Sequence, residues 1–187
     1  MPVDLYYFIS SLPALRWGEK PPLSYGDFLA ACQEHLGPKL TAQLKAISLI
    51  PGGQPASPTI AAWEKWETSL RNAIAELRAV KLRKNASPWL RDGEDLYSGD
   101  RKHLEDAMNQ PTARDRERAI DHLRWQQLEQ LSFMRQFDVA TLELYTLGLL
   151  LSEKYARHNF DVGNKTYQQL VEQGFDQAKE QQESTSA

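Results

Sequence analysis

The chain has 187 residues, 41% of them hydrophobic and 10% aromatic, which is enough apolar material for the packed core of one ordinary domain. Its formal net charge of -3 gives no general attraction to nucleic acid or to an anionic membrane. The single cysteine, Cys32, excludes an intramolecular disulfide and fits a reducing compartment.

In chain order, Leu5-Tyr6-Tyr7-Phe8-Ile9 is aromatic and β-branched and has strand propensity. No second strand-like run follows to pair with it, so residues 3–12 are read as a short buried helix, with strand as the alternative. Pro13 disturbs it, and Arg16 to Pro22 form a loop. Ser24, with Asp27 three residues on, starts a helix that Gly37 ends. Pro38 opens the next helix, in which Leu40, Leu44 and Ile47 recur at helical spacing. Pro51 to Pro58 is the most flexible-looking internal segment, a candidate join between two lobes.

From Thr59 to about Lys84, the positions Ile60, Trp63, Trp66, Leu70, Ile74, Leu77 and Val80 form one apolar stripe along a helix of roughly 39 Å. A turn-rich stretch follows and holds one short helix near Asp100–Met108. A second long amphipathic helix is predicted over Thr112–Gln136, with Ile120, Leu123, Leu128, Leu131 and Met134 on its apolar face. Asp138 then caps a helix from Val139 to about His158 that is apolar nearly all round, as in the centre of a bundle. Trp63, Leu70, Leu123, Leu131, Leu147 and Leu150 are the expected core. A last amphipathic helix from Asp161 completes a single domain, 1–178, and a flexible tail over 179–187 follows it.

The fold class is therefore all-α: a multi-helix bundle with two long amphipathic helices and a buried Leu-rich central helix. The start, Met1-Pro2-Val3-Asp4, lacks the charge and apolar run of a signal peptide. The most apolar stretch, Leu147 to Leu151, is far shorter than the ~20 residues that cross a bilayer. The expectation is a soluble, cytoplasmic chain.

Little chemistry is visible. His35, His103, His122 and His158 lie on separate segments without partners at ligand spacing, so no metal site is expected. Cys32 reads as a small buried hydrophobe, with His35 one turn away. The acidic turn at Asp92 to Asp95 lacks the ligand spacing of a calcium loop. Pro51-Gly52-Gly53-Gln54 lacks the Lys-Ser or Lys-Thr of a phosphate cradle, and no nucleophile elbow occurs. Asp121, His122 and Arg124 are neighbours in sequence but are assigned to different helix faces. No catalytic residues, no cofactor and no enzyme activity are expected.

Two basic clusters stand out: Arg78, Lys81, Arg83 and Lys84 at one helix end, and Arg114, Arg116 and Arg118 near another's start. The first complements a helix dipole and the second is interleaved with acids, so neither predicts nucleic-acid binding. Trp63, Trp66 and Trp125 fall on apolar faces. Trp17 and Trp89 lie in loops, where each either folds back on the core or stands out as a binding anchor. Arg16, Trp17, Lys20 and Trp89 are the candidate partner-interface residues.

Two stretches carry a family resemblance. Tyr6 to Pro13, with Gly18 to Ser24 and Phe28, resembles the opening of a bacterial family of unknown-function proteins encoded among V/A-type ATPase subunits. Arg118 to Trp125, together with Phe137 to Leu142, resembles that family's C-terminal half. The family in turn looks like a shortened relative of the C subunit of V/A-type ATPases (the d subunit in eukaryotes), an all-helical part that seats the rotor stalk on the membrane ring. Phe137-Asp138-Val139 resembles a helix start that recurs there.

The resemblance implies a non-enzymatic component of a bacterial V/A-type ATPase. Such a part would contact stalk and ring subunits and lie peripheral to the inner membrane without inserting into it. A transient assembly factor or regulator is the alternative. An uncharacterised helical enzyme or nucleic-acid binder is the alternative of another class.

Overall fold

The computed structural model describes residues 5–52, 55–133, 135 and 137–157. Among these lie seven α-helices: α1 (Leu5–Ser11), α2 (Tyr25–Leu36), α3 (Pro38–Lys45), α4 (Pro58–Leu82), α5 (Ser98–Met108), α6 (Ala113–Ser132) and α7 (Val139–Arg157). A single 3-10 turn, Ser87–Trp89, interrupts the α4–α5 connection. No described residue is in a strand, so the fold is all-α. The expected helix after Asp161 and the tail over 179–187 lie outside the described residues.

Short polar side chains set the helix starts. The Ser24 hydroxyl accepts the Asp27 N–H at 3.1 Å, Ser57 that of Ile60 at 3.1 Å, and Thr112 that of Asp115 at 3.0 Å. The Asp138 carboxylate accepts the Thr141 N–H at 2.8 Å. Each satisfies a backbone donor that the first helical turn leaves without a partner. Gly37, at φ 83°, joins α2 to α3 in a conformation that costs a side-chain-bearing residue extra energy.

The segment with strand propensity is helix α1. A lone strand would leave its ladder unsatisfied, whereas a helix closes its own hydrogen bonds. Only Phe8 of α1 is buried, while Tyr6 and Tyr7 stand out to solvent.

Helix α7 runs against α2, α3, α4 and α6. Leu142, Leu147, Leu149 and Leu151 are fully buried, whereas Leu150 is half-buried. Thr146 and Ser152 are also buried, and their hydroxyls donate back to the carbonyls of Leu142 and Gly148 at 2.7 and 2.9 Å. Gly148 interrupts the leucine run where Leu15 presses on the helix: a Cβ there would meet Leu15 Cδ1 at 3.3 Å.

Two apolar clusters share α4 and α6. One holds Phe28, Leu44, Trp63, Trp125 and the α7 leucines. The other holds Leu70, Ile74, Leu104, Ile120 and Leu123, and Trp66 packs against both.

Several details differ from the sequence expectation, and Leu150, expected in the core but only half-buried, is one of them. Val80, assigned to the apolar stripe, is 75% exposed, and Leu82 beside it is also exposed. The last turn of α4 therefore presents these two apolar side chains to solvent. Helix α6 ends at Ser132, four residues early. There the Ser132 hydroxyl donates to Leu128 O at 2.7 Å, and Phe133 takes an extended conformation. Leu131 is consequently only half-buried.

Candidate functional site

Six charged side chains form a continuous chain across α4, α6 and α7. Glu67, fully buried on α4, is gripped as a fork by Arg124 of α6: Nε donates to Oε2 at 3.0 Å and Nη2 to Oε1 at 2.9 Å. Arg71 Nε donates to the same Oε1 at 2.7 Å. On its other side Arg124 Nη1 donates to Asp121 Oδ1 at 2.7 Å. Lys154 of α7 reaches that same oxygen at 2.7 Å and Glu117 Oε1 at 2.5 Å.

Three cations thus alternate with three carboxylates, and the chain is neutral. Glu67, Asp121 and Arg124 are all buried. Removing such charges from water is costly, so their pairing decides whether the helices can close over them. Burial alone would lower the Arg124 pKa. The hydrogen bond and charge of Glu67, and then those of Asp121, outweigh burial and raise it. Asp121 and Arg124 therefore share one face, which corrects the expectation that they diverge; residues three apart on a helix are neighbours. His122 does lie on another side, stacked on Trp17 with ring centroids 5.4 Å apart.

The outer side of this chain opens into a cavity of about 560 Å³ between α4, α6 and α7. Arg71, Arg124, Lys154 and Glu117 belong to its wall, as do Arg78, Lys84 and Arg91. None of these last three is ion-paired with a described residue. Arg91 is held in place by donating Nη1 to Pro51 O at 3.0 Å, and its backbone N–H donates to Asn72 Oδ1 at 2.9 Å. Lys84 is placed by the end of α4, where Arg83 turns left-handed at φ 52° and the Lys84 N–H closes on Ala79 O at 2.9 Å. Ile74, Ala79 and Ile120 supply an apolar part, and Trp89 forms one wall.

A second hollow, of about 570 Å³, is lined by Trp66, Asp100, His103, Phe133 and several glutamines. Its carboxylates are occupied: Trp66 Nε1 donates to Asp100 at 3.0 Å and Trp125 Nε1 to Glu129 at 2.8 Å. Among the described residues, no group of three or more His, Cys, Asp or Glu side chains is arranged to hold a metal ion. Cys32 is fully buried, which pushes its thiol pKa up to about 11.

A third feature is aromatic. Tyr6 on α1 packs on Phe137, just before α7, with ring centroids 4.3 Å apart, and Tyr6 meets Tyr7 edge-on at 5.6 Å. Tyr7 is 71% exposed and Tyr6 49%, while Phe137 and Val139 are each 39% exposed. Phe137 holds φ 59°, a left-handed conformation that a bulky residue adopts only against a cost of about 1–2 kcal/mol.

A family model described as "Protein of unknown function (DUF2764)" matches residues 100–176, less than half of the chain. No curated protein and no solved structure matches the chain. Within the matched segment fall α6, α7 and all but the first two residues of α5, and with them Glu117, Asp121, Arg124, Phe137 and Lys154. Glu67, Arg71, Arg78 and Trp89 lie outside it.

The four candidate interface residues meet different fates. Trp17 is half-buried and packs on His122, Trp125 and Tyr155, at 5.4, 5.9 and 5.2 Å between centroids. Arg16 and Lys20 beside it are exposed, and Arg16 pairs with Glu19 at 3.8 Å. Trp89 is 60% exposed and lines the basic cavity.

The first basic cluster divides its work. Lys81 donates to Met108 O at 2.9 Å and Arg83 caps α4, while Arg78 and Lys84 face the cavity. In the second cluster, Arg116 donates to Gln110 O at 2.9 Å and Arg118 lies over the Tyr155 ring at 5.4 Å. Glu67 gave little sequence signal, because a glutamate on a long helix is ordinarily solvated. An apolar stripe broken by Glu67 opposite an Asp-x-x-Arg pair was the one available clue.

Proposed function

We propose that this chain is a non-enzymatic component of a bacterial V/A-type ATPase, similar to its C subunit and linking central stalk and membrane ring through protein contacts. The observation that carries the reading is the contact of Tyr6 with Phe137. These residues come from the two stretches that resemble the ATPase-associated family, and they meet in one exposed aromatic patch. Aromatic side chains that stay in water in the free chain, on a backbone bearing local strain, suit a surface completed by a partner.

The rest of the fold is compatible with a load-transmitting part. Helix α4 is a rod of about 38 Å, tied laterally to α6 and α7 by the buried charge chain. No helix among the described residues is long and apolar enough to cross a membrane. In this reading, attachment at the inner membrane comes through the complex.

The test is affinity capture of the tagged full chain from its native host, with quantitative mass spectrometry. ATPase subunits are expected at fixed stoichiometry, and the substitutions Tyr7→Ser with Phe137→Asn are expected to abolish the association without unfolding the chain. Asparagine tolerates the left-handed backbone that Phe137 adopts. Substoichiometric recovery would make the chain a transient assembly factor instead. Capture without any ATPase subunit would overturn both.

A further inference from the structure

Beyond that reading, and independently of it, we propose that the cavity between α4, α6 and α7 binds a small phosphate-bearing anion with a planar body, of the nucleoside diphosphate class. Three observations converge on that chemistry. The first is charge. The chain from Arg71 to Glu117 neutralises itself, which leaves Arg78, Lys84 and Arg91 as three positive charges without an ion-pair partner in the cavity lining. A phosphate ester carries ~1.5–2 negative charges near neutral pH, so two phosphate groups match that excess in a volume that carboxylates would fill less densely.

The second is donor geometry. Arg78 offers a planar fork suited to phosphate oxygens, Arg91 contributes the donors that its bond to Pro51 leaves over, and Lys84 adds a movable point charge. Arg91 is fixed in advance by its bonds to Pro51 and Asn72, so less freedom is lost on binding. The third is the remainder of the wall. Trp89 and Leu82, both exposed in that lining, offer nothing to phosphate but give a flat, weakly polar body a surface to stack on. The volume of about 560 Å³ lies within the range that small-molecule sites occupy.

The dipole of α4 accounts for Arg78 and Lys84 near its C-terminal end. It does not require Arg91, which lies beyond the helix, to join them at the same cavity.

The experiment is isothermal titration calorimetry on the full chain at low ionic strength, with ADP and with inorganic pyrophosphate as separate probes. Saturable one-to-one binding of ADP is expected, with pyrophosphate weaker. Arg78→Ala with Lys84→Ala is expected to weaken both probes by about tenfold or more, since charge-assisted bonds are lost. Trp89→Ala should weaken ADP and leave pyrophosphate unchanged. All three side chains are exposed, so the fold does not depend on them. No saturable ADP binding, or binding indifferent to Arg78→Ala with Lys84→Ala, would overturn the site. Equal affinity for ADP and pyrophosphate, unmoved by Trp89→Ala, would overturn the planar body. Neither result depends on whether the chain joins an ATPase.

Discussion

Glu67→Gln removes one charge and almost no volume from the centre of the molecule. Glu67 is fully buried and accepts three bonds, from Arg71 at 2.7 Å and from Arg124 at 2.9 and 3.0 Å. A glutamine keeps one acceptor oxygen and turns an amide donor toward a guanidinium that can only donate. At least one bond is lost, two donors oppose each other, and Arg124 stays buried with Asp121 as its remaining counter-charge. Breaking a buried pair from one side typically costs about 3–5 kcal/mol. The lower end, about 3 kcal/mol, is expected, because Asp121 still holds Nη1 and Arg71 can turn to water.

Urea denaturation followed by tryptophan fluorescence reads the effect. With an m-value of about 2–3 kcal/mol/M, the midpoint should fall by roughly 1–1.5 M. Glu67→Leu with Arg124→Met removes both charges and leaves Asp121 to Lys154. This double variant should lie closer to wild type than Glu67→Gln, giving a positive coupling in the cycle. A loss below about 1 kcal/mol for Glu67→Gln, or a double variant no better than the sum of its singles, would show that these charges are solvated rather than closed in.

Leu147→Ala, at a fully buried position facing several helices, should cost about 2–5 kcal/mol in the same assay; a small loss would mean the centre of the bundle lies elsewhere. Trp17→Ala should lower the melting temperature, with a loss of about 2 kcal/mol, roughly half that of a fully buried tryptophan; an unchanged melting curve would return Trp17 to the role of an exposed anchor. Glu143 is buried on α7, and burial raises its pKa in the fold; the hydrogen bond from Ser57, at 2.7 Å, only partly opposes this. A raised folded-state pKa means that stability from this group is present below the unfolded value and is lost as pH rises through the folded one. Glu143→Gln should therefore melt higher than wild type near neutral pH, with the difference closing in acid. A variant less stable at neutral pH would show that the ionised carboxylate is the favoured form.

The helical class, the caps at Ser24 and Asp138 and the burial of α7 follow from local rules, because capping and 3.6-residue periodicity are properties of neighbouring residues. Trp63, Leu70, Leu123 and Leu147 are buried as their spacing predicts, while Val80 and Leu131 show that a stripe extends no further than the helices that cover it. The fate of each charge was not local. Arg78, Lys81 and Lys84 look alike in sequence, yet one closes on a carbonyl of α5 and two face a cavity. Glu67 and Arg124 are 57 positions apart, and only the packing of α4 on α6 makes them a fork. Tyr6 and Phe137 likewise become one patch through the way α1 lies beside the start of α7. Burial of apolar groups needs only a pattern, because the hydrophobic effect has no direction. Ion pairs, stacked rings and anion sites depend on distance and orientation, which the tertiary arrangement alone supplies.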